Sequence, residues 1–151
     1  MLEQTDTVYK KPEEEMPSLN HSYVCAQLMR QLLQNEKIQP LPELTLDIGN
    51  GMTPDISVFP KEKIRPDFFE DILKIKELPF LSIEVVSPTQ TVHFLIETSV
   101  QMVNSGINTV WIVEPCGKSI FVIDRQGKKL FHGESVESEG IVVDFSKVFS
   151  I

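Results

Sequence analysis

The stretch from Phe80 to Val113 constrains this chain more than any other. Phe80 to Val86 is a near-continuous apolar run broken by one charge, Glu84, and stopped by Ser87-Pro88. A run of this length and composition reads as a buried central strand. From Thr89 or Thr91 a helical pattern extends to Asn104, with Val92, Leu95, Ser99, Met102 and Val103 on its inner face and Gly106 as its stop. Thr109 to Val113 is a second apolar strand. Strand, helix and strand in this order form the parallel crossover unit, which is right-handed almost without exception. The chain is therefore expected to fold as an α/β protein around a mixed sheet, and a β-sandwich is excluded.

The remaining segments supply the flanks. Residues 1–17 are polar with an acidic run, Glu13-Glu14-Glu15, and read as an N-terminal arm. The arm is either a solvated tail or carries a short edge strand at Thr7–Lys10. Residues 18–151 form the single domain that this length allows. Ser18 or Asn20 caps a first helix that ends near Asn35, with Val24, Leu28 and Leu32 facing the core. Pro40 and Pro42 break the next stretch. Alternation predicts strands at Glu43–Ile48 and Pro54–Phe59, joined as a hairpin across Gly49-Asn50-Gly51. Pro60 to Pro79 is a polar surface excursion with room for a helical turn at Asp67–Leu73. After the Pro115-Cys116-Gly117 turn come a hairpin, Ser119–Asp124 with Lys129–His132, and a last strand, Ile141–Asp144. The closing turn, Phe145–Ile151, returns two phenylalanines to the core.

Charge narrows the function. The net charge is −8, which opposes binding to phosphates. From Glu77 to Gly117 there is no lysine or arginine, while Glu77, Glu84, Glu97 and Glu114 are acidic and only His93 is weakly basic. No apolar run reaches the roughly 18 to 20 residues of a membrane helix, and the N-terminus carries no secretory pattern. Cys25 and Cys116 lie in unlike contexts, as two reduced thiols of a cytoplasmic protein would.

Two carboxylates interrupt apolar strands. Asp55 follows Pro54, and Glu84 sits mid-strand, where an unpartnered buried charge costs several kcal/mol. Carboxylates on adjacent strands suit magnesium, which takes oxygen ligands. Alternatively, Asp55 caps a turn and Glu84 meets a backbone or hydroxyl partner. His93 stands alone and is not expected to ligate a metal, and Trp111 reads most simply as a core aromatic.

The ordered set Pro54-Asp55, Ile83-Glu84-Val85-Val86-Ser87-Pro88, Asn104-Ser105-Gly106-Ile107 and Val110 to Pro115 resembles a large bacterial family of restriction endonucleases of the Uma type. That family lies within the PD-(D/E)XK nuclease superfamily. Met16-Pro17, His21 and the stretch Ile141–Phe149 resemble it as well. The resemblance implies a restriction-endonuclease-like fold, a central mixed sheet flanked by helices, and a metal site at one end of the Asp55 and Glu84 strands. By motif match Asp55 and Glu84 are the catalytic, metal-binding carboxylates, the backbone carbonyl of Val85 is a further ligand, and Mg is the cofactor. The chain departs from the pattern at the lysine. The position two residues after Glu84 is Val86, and the alternative position on the following helix is Thr98, next to Glu97. A family aspartate aligns with Phe94 and a tyrosine with Met102. Lys61, Lys63 and Arg65 are cations of the long loop that precedes the Glu84 strand. His21 matches a family histidine, although a helix-capping or solvent-facing role suits it at least equally. The expectation is a nuclease-fold protein that has lost hydrolysis and serves as a binding or assembly module, pairing as a homodimer, with nucleic acid disfavoured by charge. The competing expectations are an active magnesium-dependent endonuclease of unusual subtype and a purely structural dimer subunit.

Overall fold

The computed structural model describes residues 17–151. The expected edge strand at Thr7–Lys10 lies outside the described residues. Helix α1 (Leu19–Leu32) starts where Ser18 Oγ accepts the His21 N–H, and it buries Val24, Leu28 and Leu32. Strands β1 (Ile38–Pro42), β2 (Ile56–Pro60), β3 (Leu81–Val85), β4 (Thr109–Glu114), β5 (Ser119–Asp124) and β6 (Gly127–His132) form one sheet in chain order. Only β3 and β4 pair in parallel, joined by helix α2 (Val92–Asn104); the other neighbours are antiparallel. A second hairpin, β7 (Ser135–Ser138) with β8 (Ile141–Asp144), leads into the short helix α3 (Phe145–Val148).

The crossover closes on a Schellman cap. Gly106, at φ 118°, donates its N–H to Val103 O, and Ile107 donates to Met102 O, which turns the chain directly into β4. Alternation along β3 and β4 then sorts side chains into two layers. Leu81, Ile83, Val85, Trp111 and Val113 face α1, α3 and the β7–β8 hairpin, and all five are buried. Trp111 packs edge-on against Phe145 at 5.8 Å and donates its indole N–H to Ser138 Oγ. Val86, Val110 and Ile112 pack in the other layer with Leu95, Met102 and Val103 of α2.

The first strand is not where alternation put it. Glu43–Ile48 makes only isolated bridges, Leu46 with Met52 and Leu46 with Ile75, although the Gly49-Asn50-Gly51 turn between them is present. The strand that pairs with β2 is Ile38–Pro42, which contains both prolines read as breakers. Its hydrogen bonds explain the tolerance. Glu43 N–H donates to Asp55 O and Lys61 N–H donates to Lys37 O, so the odd-numbered residues of β1 face β2. Pro40 and Pro42 fall on the alternate positions, where an N–H would point off the sheet edge. The excursion after β2 stays on the surface. It begins with a 3-10 turn at Lys61–Lys63, closes a single turn from Asp67 to Glu70, and leaves Phe68 and Phe69 almost fully exposed. Strand β7 went unpredicted, because Val136 is its one buried residue. Among the described residues no helix is long and apolar enough to cross a membrane.

Candidate functional site

The β2–β3 register pairs Ile56 with Ile83, and one step further it sets Asp55 directly opposite Glu84. Both side chains fall on the α2 side by alternation, at the end of the sheet. Like charges placed this way repel. In keeping with that repulsion, burial pushes the Glu84 carboxyl well above the usual carboxylate range. The negative charge of Asp55 and a side-chain hydrogen bond to it push in the same direction. Asp55 itself is tightly held. Its Oδ2 accepts the Val85 N–H at 2.7 Å and lies 3.1 Å from His21 Nε2.

A cleft of about 510 Å³ opens over this pair, lined on the α2 side by Phe94, Leu95, Thr98 and Met102. Among the described residues, no lysine or arginine lines it. Thr98 Oγ1 donates to Phe94 O at 3.0 Å, within its own helix. Val86 buries its side chain in the α2 layer. Glu97 is not in the cleft wall: it is exposed and meets His93 at 3.4 Å across one helical turn. Val85, besides its bond to Asp55, buries its side chain under α1. His21 lines the cleft and is buried, so its role extends beyond the helix start. Lys61, Lys63 and Arg65 are outside the cleft wall.

The excursion does bring one cation to the rim. Ile75 N–H donates to Thr45 O and Asp47 N–H donates to Ile75 O, which pins the returning chain beside the glycine turn. Lys74 Nζ then donates to Asn50 O at 3.1 Å, next to the cleft-lining Gly51. A Cβ on Gly51 would stand 3.4 Å from Lys74 Cε, so glycine leaves room for the amine.

Sequence reasoning also passed over Cys25. Its Sγ lies 4.0 Å from His21 Nδ1, and burial, with Asp55, Glu43 and Glu84 nearby, pushes its thiol up to about 12. The available signal was the four-residue spacing from His21, which puts both side chains on one helical face.

The donor set fits a hard divalent cation. Two carboxylates set opposite each other in a cleft open to water, one of them with its proton affinity raised, are what a doubly charged ion with oxygen preference relieves.

Residues 11–149 match the family described as "Uma2: Putative restriction endonuclease". Among solved structures, the chain is similar to a protein described as a putative nuclease belonging to DUF820 from Anabaena variabilis. The two share 20% identity and a TM-score of 0.76 over 93% of this chain and 86% of that one. At that identity the likeness is one of fold, and the fold is the restriction-endonuclease-like α/β arrangement. No curated protein matches the chain.

Proposed function

The chain belongs to the Uma2 family of restriction-endonuclease-like proteins, and from that premise we propose that its site binds a divalent metal ion but has lost most of its hydrolytic power, so that the protein acts as a binding or assembly module. The observation that carries this reading is the cleft wall, which among the described residues holds the acid pair and no amine. Asp55, Glu84 and the carbonyl of Val85 would hold the ion, magnesium by its oxygen preference. When bound, such an ion activates water and offsets charge on a phosphate. The chain's own part is to fix Asp55 through the Val85 N–H and His21, and to present Glu84 opposite it. What is missing is the donor that stabilises charge at the reacting phosphate, a loss commonly worth about a hundred- to thousandfold in rate.

The same proposal includes a cytoplasmic location, in keeping with two free cysteines, and pairing of two copies. If pairing extends the sheet, β6 is the edge available, because the prolines of β1 remove outward N–H groups from the opposite one. One observation favours the second reading, an active endonuclease: Lys74 at the rim could serve as a relocated amine.

Calorimetric titration with magnesium or manganese is expected to show one site in the wild type that Glu84→Ala removes. Plasmid DNA is expected to survive incubation with the wild type and either ion. Robust cleavage that Asp55→Ala abolishes would overturn the degenerate-site reading, and loss of that cleavage in Lys74→Ala would identify the amine.

A further inference from the structure

The acid pair occupies only one side of Asp55. On the other side stand His21 and Cys25, one helical turn apart on α1. One ligating atom from each of His21, Cys25 and Asp55 lies within 4.8 Å of the others. His21 Nε2 and Asp55 Oδ2 are 3.1 Å apart, and Cys25 Sγ and His21 Nδ1 are 4.0 Å apart. We propose that His21, Cys25 and Asp55 form a second cation site, selective for a zinc-class ion.

The ligand chemistry makes the distinction. Magnesium keeps oxygen ligands, whereas thiolate, imidazole and carboxylate together are a zinc donor set. Neighbouring ligand atoms around a tetrahedral zinc of this kind lie about 3.3 to 3.6 Å apart. His21 turns Nε2 to Asp55 and Nδ1 to Cys25, and one ion takes a single ring nitrogen; with one nitrogen, the sulfur and a carboxylate oxygen within 4.8 Å of one another, closing to that spacing needs shifts of up to about an ångström and a half. Binding through sulfur releases the thiol proton to solvent, and the sulfur lone pair makes the new bond.

Cys25 has its own access, while His21 and Asp55 face both clefts. A second cleft, of about 410 Å³, reaches Cys25, His21 and Asp55 between α1 and the end of β1, and Cys25 does not line the cleft over the acid pair. Glu43 lines both clefts and is held at φ 49°, in the left-handed region that a glutamate rarely adopts. Its N–H donates to Asp55 O, so the backbone that carries Asp55 is fixed from the same side. Such a conformation is strained and persists where the surroundings over-determine it. Water entering the cleft would complete the coordination. This site shares Asp55 with the acid pair but requires neither Glu84 nor hydrolysis.

Cobalt(II) is the probe, because thiolate ligation gives it an intense near-ultraviolet charge-transfer band. The full chain is expected to bind one cobalt with that band, and zinc, but not magnesium, is expected to displace it. Cys25→Ser should abolish the band and weaken binding by more than about a hundredfold, since even an outer-shell loss costs 10- to 100-fold. Glu84→Gln and Cys116→Ser should both retain the band, which separates this site from the proposed magnesium site. As a check independent of folding of the variants, zinc should slow alkylation of the wild-type Cys25 thiol while magnesium leaves it unchanged. Absence of the band in the wild type, its loss in Cys116→Ser rather than Cys25→Ser, or equal protection by both ions would overturn the proposal.

Discussion

Thr98→Lys supplies the group that the cleft lacks. Thr98 lines the cleft beside Leu95 and Met102, on the helix that roofs Asp55 and Glu84. Its hydroxyl is spent on Phe94 O, so removing it orphans no other side chain. Lysine is also the better helix former. An ammonium about 4 Å from a carboxylate interacts by about 4 kcal/mol at an effective dielectric of 20. Such an attraction works toward the ionised form of Glu84, and the ammonium supplies a donor for phosphate that the described cleft wall lacks. The expected gain in metal-dependent nicking is about a hundred- to thousandfold, the usual worth of one preorganised donor. Supercoiled plasmid with manganese, resolved on agarose, measures it. The double variant with Asp55→Ala should fall back to background. The reasoning fails if Thr98→Lys folds, binds manganese as the wild type does, and nicks no faster.

The same geometry fixes three further outcomes. Ile83 is fully buried between Ile56 and Trp111 in the sheet, so Ile83→Ala should cost about 2–5 kcal/mol and Ile83→Val about 0.5–1.5 in urea unfolding; a loss under about 1 kcal/mol for alanine would refute the central-strand assignment. Glu84 has its proton affinity raised on folding, so its contribution to stability is full below the ordinary glutamate value of 4.5 and is lost as pH rises through the raised one. Melting without metal should show that decline, and Glu84→Gln should flatten it; an unchanged profile would mean that Glu84 does not hold the proton. Gly106→Ala places a Cβ 2.9 Å from Leu78 Cδ1 at φ 118°, for a cost of about 1–3 kcal/mol and a drop of about 2–4 °C per kcal/mol in the melting temperature; no drop would show that the cap relaxes.

The parts legible in the sequence are those that local periodicity and caps determine. The β3–α2–β4 unit could be read because its strands are apolar on both faces and its helix ends on Gly106. Asp55 and Glu84 could be singled out because a charge in an apolar strand is costly wherever the chain goes. The β1 assignment failed for a tertiary reason: Pro40 and Pro42 are acceptable only because their positions face away from β2, and nothing local says that this strand lies at an edge. Alternation in Leu44, Leu46 and Ile48 was real but reflects burial under neighbouring loops: Leu46 and Ile48 are buried outside any named strand. Glu97 drew attention by its neighbour Thr98, yet consecutive helical residues point about 100° apart, and only Thr98 reaches the cleft. Cys25 and Lys74 became visible only when helix, glycine turn and excursion were assembled.

The surface excursion between β2 and β3 makes this architecture permissive of change. Asp55 immediately precedes β2 and Glu84 lies in β3, which pairs with it, while half of the chain separating them, from Lys61 to Lys74, makes the surface excursion that returns at Ile75. Doubling such a loop costs only about 0.6 kcal/mol in closure entropy, less than a single buried methylene contributes. Insertions, deletions or wholesale grafts there can therefore exchange Phe68, Phe69 and the rim cation Lys74 while Asp55 and Glu84 keep their register. Within one scaffold, what the cleft admits can diverge far faster than the chemistry at its floor.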